Sequence, residues 1–366
     1  MKMKARVIAF YLPQFHAIPE NDKWWGKGFT EWTSVKNAKP LFEGHVEPKV
    51  PGELGYYNLL DPQIRERQAE LAKSAGIEGF CYWHYWFGNG KRLLEKPFHE
   101  VLTSGKPDYP FCLCWANHTW ARTTWVNISG NTGKQILMEQ TYPGDEDIIM
   151  HFNACLPAFK DPRYIRVDNK PLFGVWAPLD IPNFEHFKDL WNKMARENGI
   201  DGIHFVGLTT DFRQIPENTM RLGYDALCLT GATRAMRRTS FWKNSIIPRL
   251  RKVFPNHVFL TNFPYEKIIE NWFKGTRCHK ENYYPCVFPN YDRSPRGGVK
   301  AVLFYGSTPA LWKKHLQQAI EIVKNKEPQH RLIFIRSWNE WGEGNYLEPD
   351  AQFGTQYLDV MHDLLK

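Results

Sequence analysis

Short apolar runs recur along the chain, each bounded by polar or turn-forming residues. They extend from Val7 to Leu12, Gly79 to Tyr85, Phe111 to Ala116, Leu172 to Trp176, His204 to Leu208, Ala226 to Thr230, Tyr284 to Phe288 and Leu332 to Ser337. Runs of this length read as fully buried strands. The stretches between them have the helical period. From Pro62 to Ala75, the residues Ile64, Gln68, Leu71 and Ala75 fall on one stripe, and Gly76 ends the stretch. A second helix runs from Phe184 to Asn198 and is closed by Gly199. Buried strands alternating with helices predict an α/β protein, a (β/α)8 TIM barrel. The competing architecture, a doubly wound open sheet, usually opens on a glycine-rich first turn. Here that turn reads Pro13-Gln14-Phe15-His16.

No internal repeat, low-complexity tract or linker divides the chain, so residues 1–366 read as one catalytic barrel domain. Two long excursions break the rhythm, residues 13–61 after the first strand and 231–283 after the sixth. In a barrel, the loops that follow strands build the face where chemistry takes place.

Composition sharpens that expectation. Aromatic residues make up 15% of the chain and 15 residues are Trp, more than cores usually need. The tryptophans gather just past the strands, where flat rings can stack on the C–H faces of sugars. After the first strand come Gln14, His16, Trp24, Trp25, Glu31 and Trp32; near the end of the second, Trp83, His84, Tyr85 and Trp86. Trp115, Asn117, His118, Trp120 and Arg122 follow the third, Trp176 ends the fourth, and Asn290, Tyr291 and Asp292 follow the seventh. These positions favour a carbohydrate pocket over a Trp-rich core.

The segment after the eighth strand, Ser337-Trp338-Asn339-Glu340-Trp341-Gly342-Glu343-Gly344, carries the most chemistry. Acids three residues apart on a helical turn share a face, with side chains roughly 5–6 Å apart. Carboxylates at about that separation serve retaining glycosidic chemistry, one giving a proton while the other stays ionised. Trp338 and Trp341 would wall the pair, and Gly342 and Gly344 would let a sugar approach closely. The bland alternative makes the acids surface residues or partners of Arg336. Glu31 and Asp292 are spare carboxylates, either of which can replace one of the pair. Asp145-Glu146-Asp147 has the Asp-x-Asp form of a cation clamp but reads better as the acidic first turn of a helix. His16, His84 and His118 lack short metal-ligand spacing and read as contacts to sugar hydroxyls. No nucleophile elbow, Walker motif or dinucleotide fingerprint is present.

Charge is concentrated in one place. The net charge is +8, and residues 234–252 hold seven cations and no acid. Phe241, Trp242, Ile246, Ile247 and Leu250 are interleaved with them, a pattern suited to an anionic membrane face or a phosphate-bearing lipid-linked glycan. A solvated basic insertion is the plainer reading. Nucleic acid is not expected, because no recognition signature accompanies the patch. Seven cysteines form an odd set, and Cys81, Cys112, Cys114 and Cys228 sit in strand-like runs as small hydrophobes. Together with an opening apolar run too short for a secretory signal, they predict a cytoplasmic protein, peripheral to the inner membrane face if the basic segment docks there.

The stretch Tyr11-Leu12-Pro13-Gln14-Phe15-His16 and the run Trp24-Trp25-Gly26-Lys27-Gly28-Phe29-Thr30-Glu31-Trp32 resemble the WbsX-type family of bacterial surface-polysaccharide proteins. So do Cys81-Tyr82-Trp83-His84-Tyr85-Trp86, Trp115-Ala116-Asn117-His118 and Trp338-Asn339-Glu340-Trp341-Gly342-Glu343-Gly344, a likeness covering nearly the whole chain. The resemblance implies a glycosyltransferase of O-antigen or capsule assembly. Its barrel and its Asn-Glu-Trp-x-Glu-Gly element are also similar to glycoside hydrolase family 99, which includes endo-acting α-mannosidases. Carried over from that family, Glu340 is the general base and Glu343 the general acid. The sugar's own 2-hydroxyl attacks the anomeric carbon and forms a 1,2-anhydro intermediate, without metal or cofactor. Water on that intermediate gives hydrolysis, and a sugar hydroxyl gives transfer. Supporting contacts to an oligosaccharide or polysaccharide are expected from Trp86, Trp115 and Trp176 by stacking, and from Gln14, His84, Asn117, His118 and Asn339 by hydrogen bonding. A sugar-nucleotide-dependent transferase and a non-catalytic glycan-binding barrel are the competing functions.

Overall fold

The computed structural model describes residues 5–122, 135–254 and 257–366. Met1 to Lys4 lie outside the described residues. Eight parallel strands close into a ring: β1 (Arg6–Tyr11), β2 (Gly79–His84), β3 (Phe111–Trp115), β4 (Lys170–Val175), β5 (His204–Thr210), β6 (Ala226–Thr230), β7 (Tyr283–Val287) and β8 (Leu332–Ile335). Each strand pairs with its successor in sequence, and β8 returns to β1 with Arg6 opposite Leu332. This is the expected (β/α)8 barrel, and every expected strand is present with ends shifted by no more than two residues.

Local signals account for the crossover helices. The helix Pro62–Ser74 begins on Asp61, whose side chain accepts the Gln63 N–H at 2.9 Å, with Pro62 at the first helical position. It stops before Gly76, which adopts φ +84°. The helix Phe184–Glu197 buries Phe184, Phe187, Trp191 and Ala195 on one face. Trp191 is fully buried, with its ring centroid 4.9 Å from that of Phe173 on β4 and 5.8 Å from that of Phe205 on β5. Burying side chains of this size stabilises the fold by roughly 1.5–3 kcal/mol each. The helix Asp145–Lys160 starts with its acidic triplet in the first turn, as read from the sequence. All seven cysteines are buried and unpaired.

The two excursions are built differently. Residues 13–61 lie over the barrel mouth and include the short helices Pro19–Trp25 and Glu31–Lys36. The excursion after β6 contains the helix Ala232–Thr239, the turn Trp242–Ile246 and the helix Ile247–Val253. It then supplies the strand Thr261–Pro264 to a small side sheet with Val302–Tyr305 and Tyr291–Asp292. Among the described residues no helix is long and apolar enough to cross a membrane.

Candidate active site

A cavity of about 380 Å³ opens at the C-terminal ends of the barrel strands. Glu340 and Glu343 form part of its wall. After β8 the chain makes a small hairpin, pairing Asn339–Glu340 with Asn345–Tyr346, and Trp341–Glu343 forms one tight helical turn between them. This hairpin is fastened to the first strand. The Trp338 N–H donates to the Phe10 carbonyl at 2.7 Å. The Asn339 amide accepts from the Leu12 N–H at 2.7 Å and donates to the Leu12 carbonyl at 3.1 Å. The Ser337 hydroxyl accepts the Glu340 N–H at 2.9 Å and donates to the Asn345 carbonyl at 2.6 Å. Trp341 stacks on Tyr346 at 3.7 Å and donates its indole N–H to Glu348 at 2.6 Å. The backbone carrying the two acids is therefore tied on several sides.

The two glutamates line the same cavity but differ in surroundings. Glu340 is 3% exposed, and its Oε1 accepts the Trp83 indole N–H at 2.6 Å. Burial raises its pKa, Arg336 counteracts this, and the charge of Glu343 adds to the rise. Glu343 sits among three guanidinium groups: Arg296 donates to its Oε1 at 2.8 Å, Arg336 donates to its Oε2 at 3.1 Å, and Arg293 lies 3.4 Å away. Burial pushes Glu343 up, but Arg293, Arg336 and Arg296 together outweigh it and bring the carboxyl down to about 2. The arginines thus make Glu343 the more acidic of the two in the free site.

Arg296 also reaches Glu31 at 2.7 Å, which lies fully buried behind the pair. Burial carries the Glu31 pKa to about 7 against the pull of Arg296. The glycines expected to admit a sugar are used for protein packing instead. A Cβ on Gly342 would lie 1.8 Å from a Glu31 carboxylate oxygen, and one on Gly344 would lie 2.6 Å from Asp292 Cβ. They let two acid-bearing segments approach the hairpin.

The expected site residues separate into two groups. Gln14, His118 and Trp176 line the cavity with the glutamate pair. Trp176 is placed edge-to-face against Trp83 at 5.4 Å, and the Arg336 guanidinium lies 4.7 Å from the Trp176 ring centroid. The rest lie outside the cavity lining. His16 is buried with Nδ1 3.0 Å from the Pro13 carbonyl, and Trp32 donates to the Tyr57 carbonyl at 2.8 Å. His84 faces His151 with 2.9 Å between Nε2 atoms, Trp86 donates to Asp147 at 3.1 Å, and Trp115 donates to the Trp86 carbonyl at 2.8 Å. Asn117 clamps Ala177 through its N–H and carbonyl. Asp292 is held by His45 at 2.7 Å and Lys49 at 3.2 Å. Trp338, Asn339 and Trp341 fix the hairpin from behind.

Trp25, Trp83, Tyr85, Trp120 and Tyr291, named from the sequence among the strand-end aromatics but given no individual role, also line the cavity, together with Arg336, named as a possible partner of the acids, and Arg293 and Arg296, which were not named. Strand alternation held the signal for two of them. On β2, Trp83 and Tyr85 share the inward face, while His84 and Trp86 point to the helices, because side chains alternate with period two. For the arginines, the i,i+3 spacing of Arg293 and Arg296 after the seventh strand was the available clue.

Donor clusters close enough to share a metal ion, among the described residues, are His84/His151/Cys155 and His45/Glu47/Asp292. Neither belongs to the cavity lining.

Among solved structures, the chain is similar to a "Glycoside hydrolase-like protein", with a TM-score of 0.61, 15% identity, and coverage of 99% of this chain and 94% of that one. It is also similar to the GH99 endo-alpha-mannosidase from Bacteroides thetaiotaomicron, with a TM-score of 0.56, 16% identity, and coverage of 98% and 95%. These likenesses show the fold. Among curated proteins, it is 35% identical over 372 residues to the uncharacterized protein WxcX of two strains of Xanthomonas campestris pv. campestris. The match covers 99% of this chain, which spans about 50% of the length of those relatives. The model of the family described as glycosyltransferase WbsX matches residues 7–361, and the chain belongs to that family.

Proposed function

We propose that the chain is a carbohydrate-active enzyme of bacterial surface-polysaccharide metabolism that makes or breaks a glycosidic bond in this cavity. Glu340 and Glu343 are the working pair. The observation that carries this reading is that both carboxylates form the wall of one aromatic-lined pocket in unlike surroundings, Glu340 against the Trp83 indole N–H and Glu343 among three arginines. Glu340 takes the proton of the sugar 2-hydroxyl, whose oxygen attacks the anomeric carbon. A raised pKa suits a base that works near neutral pH. When the substrate displaces its arginine contacts, Glu343 takes up a proton from solvent and gives it to the leaving oxygen; as a carboxylate it then takes the proton of a second hydroxyl, which opens the 1,2-anhydro ring while Glu340 returns its proton to the 2-oxygen, with net retention. Trp176, His118 and Gln14 hold the ring, and the cavity's cations are arginines.

The arginine cluster favours a second reading, transfer from a glycosyl phosphate such as a sugar nucleotide. A phosphate leaving group needs no proton, so Glu343 can stay ionised while Arg293 and Arg336 neutralise the departing charge. Glu340 then acts on the acceptor hydroxyl.

One set of assays separates these readings: turnover of oligosaccharides, aryl glycosides and glycosyl phosphates, each with and without EDTA. The first reading expects Glu343→Gln to lose roughly 10²–10⁴-fold on oligosaccharides and to recover with an activated aryl leaving group. Turnover confined to glycosyl phosphates selects the second reading. Retained glycan affinity in both Gln variants, with no turnover of any substrate by the wild type, would leave a binding module.

A further inference from the structure

A second charged surface lies at the rim of the same barrel face, outside the cavity. It is built from the segments that follow β5 and β6. Phe212, Arg213, Arg234, Arg237 and Arg238 line an open bowl of about 390 Å³. The carboxylate at its base, Asp211, is 1% exposed and is already shared by Arg234 at 2.8 Å and Arg277 at 2.6 Å. Arg238 donates to the Lys274 carbonyl at 2.9 Å. Arg213 and Arg237 face the Phe212 ring, each 5.2 Å from its centroid, and neither has a carboxylate partner among the described residues. Four guanidiniums against one buried, doubly engaged acid leave a concave surface with excess positive charge.

The apolar side chains beside the bowl are unusually open. Phe241 is 50% exposed and Trp242 71%, and Arg237 connects them to the bowl through a contact of 5.7 Å with the Phe241 ring. Val253, Phe254 and Val258, further along the same excursion, are exposed by 67%, 46% and 65%. Large rings at the tip of a basic segment, next to concave guanidiniums, match the two demands of a phospholipid surface. The rings reach the acyl boundary, and the cations meet the headgroup phosphates.

We propose that this rim docks the enzyme on an anionic phospholipid surface, with Phe241 and Trp242 entering the interface and the Arg213/Arg234/Arg237/Arg238 bowl seating lipid phosphates. The cavity opens on the same barrel face, so docking holds it beside glycans carried on lipid. This inference does not depend on the roles given to Glu340 and Glu343.

Co-sedimentation of the full chain with vesicles tests it. One vesicle is phosphatidylcholine alone and the other is phosphatidylcholine mixed with phosphatidylglycerol. Binding is expected only to the mixed vesicles and is expected to weaken as salt is raised. Arg213→Gln with Arg237→Gln should lower the partition coefficient by about 30-fold, two cations near the surface being removed. Phe241→Ser with Trp242→Ser should lower it about tenfold or more while salt dependence persists. Circular dichroism and melting of each double variant report whether it is folded. Inorganic pyrophosphate that abolishes vesicle binding by the Phe241/Trp242 variant but only weakens that of the wild type would support the two-part surface. Equal binding to neutral vesicles, no binding to either, or wild-type binding by both folded double variants would overturn the proposal. So would a single-stranded RNA oligonucleotide that binds the bowl and displaces the chain from vesicles.

Discussion

The hairpin after β8 and the insertion after β6 occupy the same end of the barrel, yet they use charge in opposite ways. At the hairpin and the segments packed on it the buried acids have partners: Glu343 three arginines, Glu31 Arg296, and Glu348 the donors of Trp341, Tyr57 and Gln68. Arg213, just after β5, and Arg237, on the insertion, have a ring beneath them but, among the described residues, no acid partner, and Trp242 on the insertion stands in solvent. Buried charge must be compensated within the protein, because desolvation of an unpaired ion costs several kcal/mol. Exposed charge is compensated by water and remains free for a partner. The first arrangement suits a site that must keep its geometry, the second a surface that waits for another body.

Substitutions on the two sides should separate sharply. The largest effect belongs to Glu340→Gln, which should cut turnover by roughly 10²–10⁴-fold in a protein that still melts cooperatively. Loss of the cooperative melt instead would make Glu340 a structural residue. Gly342→Ala comes next. The new methyl meets the Glu31 carboxylate and should destabilise by about 1–3 kcal/mol in a denaturant titration. Asn339→Ala removes both bonds to Leu12 and leaves that backbone partly unsatisfied, for about 1–3 kcal/mol. An unchanged midpoint would show that the hairpin is held without this clamp.

The acids also predict a pH profile. Burial carries both Glu31 and Glu348 up to about 7 from 4.5. Their protonated forms therefore favour the fold. This stabilisation is complete below about 4.5 and is lost as pH rises through about 7. Glu343 has the opposite sign: its contribution is present above 4.5 and is lost as pH falls toward about 2. Glu348→Gln should flatten the decline in melting temperature between pH 5 and 7.5, while Glu343, with Asp292 lowered likewise by Lys49 and His45, shapes the acid limb. The smallest effect is expected at the insertion. Arg237→Gln and Trp242→Ser should each shift the stability of the free protein by no more than about 0.5 kcal/mol. A larger loss would mean that the insertion is knitted into the fold after all.

The barrel was legible because it rests on long-period information. Each buried run between helical stretches declares a strand whichever face it presents. The site depended on finer signals. Trp83 and His84 are neighbours in sequence with the same apparent chemistry, but the pleat sends Trp83 to Glu340 and His84 to His151. Trp115 turns outward in the same way and packs at 5.9 Å from Phe187 on a crossover helix. Asn339 and Trp341 stand beside the acids in the chain, yet they do not line the cavity and are spent on bonds to the Leu12 backbone and to Glu348. Adjacency in sequence marked the right segment without saying which side of it faces the pocket. The guanidinium cluster was hidden for another reason. Arg293, Arg296 and Arg336 come from two loops that meet only in the folded ring.

The bonds from Phe10 and Leu12 to Trp338 and Asn339 join the beginning of the chain to its final strand. A polypeptide still emerging from the ribosome has the first half of this clasp long before the second. Glu340 and Glu343 therefore take this arrangement only after the chain has been synthesised through β8 and the ring has shut. A copy cut before β8 should show no turnover, and a nick that frees β1 or the hairpin from the ring should extinguish turnover before it unravels the rest.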